Sequence, residues 1–146
     1  MSLEDWLKNS WIRRHITSKD EIRNLILIVE RDIQDAKLKE VSADWRFGIV
    51  YNAALKLCTI LLYSKGYRPE RSLAHFRTIK ALPLILGKDK ENDSNYLDAC
   101  RIKRNTVEYD YAGGATDIEA DELIEFVEEL FVEVKNWLAE NHQELL

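Results

Sequence analysis

The chain has 146 residues, 46% of them hydrophobic and 32% charged, and a formal net charge of -5. That length makes one domain, able to bury roughly two thirds of its unfolded surface without disulfides or metal; the composition excludes a disordered chain, and a longest apolar run of only "LCTILLY" excludes a membrane span. Cys58 and Cys100 make no CxxC pair, so neither zinc nor a disulfide framework is indicated, and the opening "MSLEDWLKNSWIRRHITS" has no apolar core of a secretory signal, which leaves a cytoplasmic protein as the expectation.

With 5 Gly and 2 Pro in the whole chain, long helices are favoured over a turn-rich β fold. Trp6, Leu7, Trp11 and Ile12 predict a short leading helix within a lead-in of residues 1–17. The bundle proper then occupies residues 18–146. Its first main helix opens at Ser18, with Glu21 at capping-box spacing, and runs Ile22, Leu25/Ile26, Val29, Ile33 and Ala36 along one stripe at helical period. The second, "SADWRFGIVYNAALKLCTILLYSKG", starts at Ser42 and stops at Gly66; it is apolar nearly all round, as a helix surrounded by its neighbours must be.

A shorter helix is predicted from about Ser72 to Ala81, closed by Pro83 and Gly87, with "GKDKENDS" as a polar loop after it. The next helix runs from about Ser94 to Tyr109. Beyond "AGGA", Thr116 and Glu119 repeat the capping-box spacing, and Leu123, Val127, Leu130, Val134 and Trp137/Leu138 mark a long amphipathic last helix. Its glutamates at positions 125, 128, 129 and 133 read as a solvated face. The fold class is therefore all-α: an up-and-down four-helix-type bundle with additional short helices.

Phosphate loops of the GxxxxGK[ST] or GxGxxG type are absent, as are HExxH and Glu-x-x-His metal motifs. No cofactor and no metal are expected. What stands out is "RIKRNTVEYDYAGG". Arg101, Lys103 and Arg104 gather near the end of a helix, where cations are welcome beside unpaired carbonyls. At i,i+4 spacing Arg104 meets Glu108, Arg101 meets Asn105, and Asn105 meets Tyr109. Two readings stand side by side: an ion-paired helix end whose tyrosines pack under the last helix, or a site.

The stretch "RNTVEYDY" resembles the signature of HEPN domains, the helical-bundle family named for higher eukaryotes and prokaryotes nucleotide-binding. That signature is an Arg, a polar residue, and a His a few positions on, extended by a Tyr in toxins encoded beside minimal nucleotidyltransferases. Arg104 and Asn105 match its start, Tyr109 falls where the His belongs, and Tyr111 matches the later Tyr. "DWRFGIVYNAALKL" and "HFRTIKALPLILG" are similar to stretches of an uncharacterised HEPN subgroup, and the likeness extends from about Ser18 to Leu138.

The resemblance implies a cleft around Arg104, with Arg101, Asn105, Tyr109 and Tyr111 as ligand-binding neighbours, a homodimer with motif helices facing each other, and RNA or a nucleotide as ligand. The tryptophans at 6, 11, 45 and 137 are the expected anchors between copies. Active members are metal-independent ribonucleases in which the Arg and His assist attack of a 2′-hydroxyl on the adjacent phosphate. Here Arg104 and Tyr109 hold the catalytic positions. A phenol with an ordinary pKa of about 10 is a poor general base at neutral pH. His75, on the short helix, is the one histidine placed to substitute. The expectation is a non-catalytic HEPN-like module binding nucleotide, RNA or a partner protein; the alternative is a toxin-like ribonuclease with an altered motif. The same resemblance implies nucleotide transfer to Tyr111 by a nucleotidyltransferase partner, or an antitoxin partner, with packing of Tyr111 beneath the last helix as the competing reading.

Overall fold

The computed structural model describes residues 1–109 and 112–146, the side chains of residues 106–109 excepted. In chain order the elements are α1 (Leu3–Lys8), β1 (Ile12–Arg14), α2 (Lys19–Ala36), α3 (Ala43–Ser64), β2 (Tyr67–Pro69), α4 (Ala74–Lys80), α5 (Leu82–Leu86), α6 (Glu91–Tyr109) and α7 (Asp117–Asn141). Single 3-10 turns cover Lys88–Lys90 and Gln143–Leu145. This is an all-α bundle with one small ribbon attached.

The four long helices arise from local chemistry that the sequence carries openly. Ser18, Ser42 and Thr116 each cap a helix by accepting the N–H three residues on, which satisfies one of the orphan donors of a helix start. At Thr116 the box is complete, because Glu119 reaches back to the Thr116 N–H. At Ser18 it is half made: the Glu21 carboxylate turns instead to Thr17 Oγ1 and the His15 ring, each at 2.7 Å. Gly66 ends α3 with a φ of +90°, a conformation that costs a side-chain-bearing residue but not glycine.

α3 is the axis of the bundle. Arg46, Phe47, Val50, Tyr51, Ala54, Leu57, Cys58 and Leu61 are all buried on it, and it packs against α2, α6 and α7. α3 is the one described helix long and apolar enough by composition to cross a membrane, and it is mostly buried inside the bundle. A second, smaller core joins Leu3, Trp6 and Ile12 of the N-terminal segment to Leu62 and Ala81. Asn52 Nδ2 donates to the buried Asp32 carboxylate at 2.7 Å, fastening α2 to α3.

Three expected boundaries move. The leading helix stops at Lys8. Ser10 takes a left-handed φ of +61°, and the chain then turns into β1, which pairs antiparallel with β2 in the register Ile12–Pro69, Arg13–Arg68, Arg14–Tyr67. The short third helix is confined to Ala74–Lys80, and a further helix, α5, follows where Pro83 is the expected stop. Pro83 lies in the first turn of α5, where its missing N–H has no partner to lose, and Gly87 closes that piece. α6 begins at Glu91 instead of Ser94, and the residue before it, Lys90, is held by Asp93 at 3.6 Å and by Glu133 at 2.5 Å. Glu133 and Glu128, read as a solvated face, thus make ion pairs between elements, Glu128 with Lys37 at 2.9 Å.

The first turns of α3 hold the helix ends together. Arg46 is buried at 1% exposure. Its Nε donates to the Ala36 carbonyl at the end of α2 at 2.8 Å. Its terminal nitrogens reach Asp117 and Asp121 on α7. Replacing Arg46 by Met keeps the aliphatic packing and removes these bonds, for an expected loss of about 2 kcal/mol. Arg46→Ala, which also opens a cavity, is expected to cost about 3–4 kcal/mol. Urea unfolding of the two variants measures both, and a loss no larger for Ala than for Met would contradict this account.

Candidate functional site

The motif helix is anchored before it is used. Buried Ser94 donates from Oγ to the Ile79 carbonyl at 3.0 Å, and Lys80 reaches Asn95 at 2.6 Å, so α6 is registered against α4. After the motif, Asp44 on the first turn of α3 accepts the N–H of Gly113 at 2.6 Å and of Ala115 at 2.9 Å. Gly113 has a φ of +79° with open space where a Cβ would sit. The two ends of the motif segment are therefore fixed by α4 on one side and by α3 on the other.

The three basic residues of α6 part company. Lys103 turns toward α7 and pairs with Glu119 at 2.9 Å, at the rim of a pocket of about 210 Å3. Cys100 lines that pocket too. Burial pushes its thiol up to about 12, so it is no nucleophile at neutral pH. Arg101 and Arg104, one turn apart, face α3 and α4. Arg101 pairs with Asp98 at 2.8 Å, an i,i+3 partner in place of the expected Asn105, and its guanidinium lies 5.7 Å from the Phe76 ring centre. Arg104 lies 5.8 Å from the Tyr51 ring centre. Asn105 is exposed.

What gathers around the two arginines comes from helices the motif does not include. Tyr51, on α3, is 1% exposed. Among the described residues its hydroxyl has no hydrogen-bond partner. Burial raises its pKa, while Arg101 and Arg104 act in the opposite direction, which places both cations within electrostatic reach of the phenol. His75, on α4, has its ring 6.5 Å from that of Tyr51. Desolvation, then Arg104, Lys56 and Arg101, depress its pKa below the ordinary 6.5. The imidazole is consequently neutral at pH 7.

Of the expected site residues, Arg101 and Arg104 stand together, and Asn105 lies beyond them on the same helix. The side chains of Glu108 and Tyr109 and the whole of Tyr111 lie outside the described residues. No sequence motif marks Tyr51. On an all-round apolar helix, a tyrosine looks like core until its hydroxyl is found without a partner. Of the four tryptophans, Trp6 is buried and Trp11 and Trp137 are half-buried, while Trp45 is 63% exposed. Trp11 packs edge-on to Trp6 at 6.0 Å, and Trp137 lies tilted against His142 at 5.0 Å. Among the described residues no group of His, Cys, Asp and Glu could hold a metal ion. Comparison with protein-family models, with curated proteins and with solved structures finds no match to this chain.

Two cations, a neutral imidazole and an unpaired phenol on one side of α6 suit an oxyanion more than any other small group. The electrostatics can be checked directly. The depressed His75 pKa means that protonation disfavours the fold, so this contribution to stability is intact above about pH 6.5 and lost as the pH falls. By NMR, the His75 midpoint is expected below 6.5, and Arg104→Ala should move it upward. A midpoint unmoved by that substitution would remove Arg104 from its surroundings.

Proposed function

We propose that the chain is a HEPN-like helical module that holds a phosphate group of a nucleotide or RNA between Arg101, Arg104 and Tyr51 without cleaving it. The observation that carries this reading is the Tyr51 hydroxyl, which is buried and without a hydrogen-bond partner among the described residues. It lies within electrostatic reach of two guanidiniums. A buried donor left unsatisfied costs stability unless something else is gained. A phosphate oxygen would accept from the phenol while the arginines supply the countercharge. Because the hydroxyl is shielded from water, a ligand meets it only when a covering side chain moves aside.

Recognition without cleavage follows from the position that Tyr109 takes in the motif. A phenol donates a hydrogen bond to phosphate readily, yet it does not accept the proton of a 2′-hydroxyl at neutral pH. One observation favours a second reading, metal-independent RNA cleavage. His75 is neutral at pH 7 within electrostatic reach of Arg104, which puts a candidate base near the cation proposed to hold phosphate.

A single set of measurements separates these readings. Arg104→Ala is expected to change stability by under about 1 kcal/mol and to weaken binding of single-stranded RNA or nucleotide by about 10- to 100-fold. Equal affinity in the two proteins would leave the cleft without its main residue. Incubated with RNA in EDTA, the native chain is expected to leave it intact. Cleavage that disappears in His75→Ala, with binding retained, would replace the first reading by the second.

A further inference from the structure

The ribbon carries a charge arrangement that the bundle does not need. Arg13 on β1 stands directly opposite Arg68 on β2, and like charges at such a pair destabilise a two-stranded ladder. Arg71 follows just beyond β2. These three arginines, with Pro69 and Glu70, line a cleft of about 400 Å3. All three are exposed, in a chain whose formal net charge is -5.

Glu70 shows what the cleft accepts. Its carboxylate takes a hydrogen bond from Arg13 Nε. The backbone N–H of Arg71, then the Arg13 side chain, hold its carboxyl below the ordinary range. The cleft thus already contains an oxyanion, supplied by the chain itself. Three guanidiniums against one carboxylate leave a surplus of two positive charges. A phosphate monoester carries about that charge in negative sign at pH 7, and a diester about half of it.

The backbone beneath is rigidly seated. Ile12 is 1% exposed. The Glu70 N–H donates to the Trp11 carbonyl at 3.0 Å, and the His15 N–H to the Gly66 carbonyl at 2.8 Å. Guanidinium forks mounted on such a frame suit a tetrahedral oxyanion, which each can engage through two parallel N–H donors.

We propose that the β1–β2 ribbon is a second anion site, which takes a phosphate dianion, free or as the terminal phosphate of an ester, between Arg13, Arg68 and Arg71, with Glu70 as the internal anion that it displaces from Arg13. The site stands apart from the Arg104 cleft and does not depend on the function proposed for it.

Arginine Nε–Hε NMR signals of the full chain, titrated with inorganic phosphate, phenyl phosphate and dimethyl phosphate, test the assignment. Saturable shifts of the Arg13, Arg68 and Arg71 signals are expected with the dianions, and binding about tenfold weaker or less with dimethyl phosphate. Response to both dianions assigns an ester-accepting site; response to inorganic phosphate alone assigns a site for the free ion. Glu70→Gln should tighten binding by about threefold or more, and Arg68→Ala should weaken it by about tenfold. The amide spectrum reports the fold of each variant, and Arg71→Gln serves the same purpose if Arg68→Ala does not fold. The Arg101 and Arg104 signals report separately on the other cleft. Dimethyl phosphate binding as well as the dianions, affinity unchanged in the arginine variants, or weaker binding in Glu70→Gln would each overturn the proposal.

Discussion

One guanidinium, that of Arg46, sets the terms for the rest of the molecule. Burying a cation is costly unless every donor is used and a countercharge is at hand. Arg46 gives each of its three nitrogens a partner, and gains its countercharge, by joining elements that are far apart in sequence: the last carbonyl of α2 and two carboxylates at the start of α7. The arrangement keeps the desolvation one-sided, because Asp117 and Asp121 remain exposed while only the arginine is withdrawn from water. Two residues earlier, Asp44 captures the backbone after α6. A short polar face at one end of an otherwise apolar helix thereby fixes where three neighbours begin or end. The candidate cleft inherits its geometry from that end.

The cluster around Arg101 and Arg104 is built by divergence as much as by convergence. Successive helical positions point about 100° apart, so three clustered basic residues cannot share one face. Lys103 is drawn to Glu119 on α7, and the pair at 101 and 104 remains to face α3 and α4. There burial, and then the cations, depress the basicity of His75, and the arginines oppose the rise that burial imposes on Tyr51. Elsewhere the acids of the chain make ion pairs between elements, such as Lys37–Glu128 and Lys90–Glu133.

The sequence made the long helices legible because their determinants are local: capping residues, a stripe at helical spacing, and a glycine where α3 must turn. It made half of the candidate cluster legible for the same reason, since Arg101 and Arg104 are one turn apart on one helix. Tyr51 and His75 were hidden or undecided because their role depends on which neighbour each faces, a tertiary fact. The ribbon was invisible for another reason. Strands of three residues offer no alternation to read, and Ile12, buried at 1%, sits next to Trp11 in a pattern that equally suits the end of a helix. Glu21 marks the limit of local signals: its spacing to Ser18 is that of a capping box, yet His15 and Thr17 compete successfully for its carboxylate.

Arg77 links the ribbon to the arginine-bearing face of α6. Its guanidinium lies 3.9 Å from the Trp11 ring centre and 5.8 Å from that of Phe76, and Phe76 in turn lies under Arg101. Its Nε is buried and makes no hydrogen bond among the described residues. Aromatic faces hold this cation through their quadrupoles, which needs no carboxylate partner and leaves the acids of the chain for other pairs. The planar guanidinium is weakly hydrated and stacks on aromatic faces, so it tolerates this half-buried seat better than a lysine ammonium would. The stack runs from Trp11, beside the ribbon, through Arg77 and Phe76 on α4 to Arg101 on α6. It links the two basic regions by packing alone.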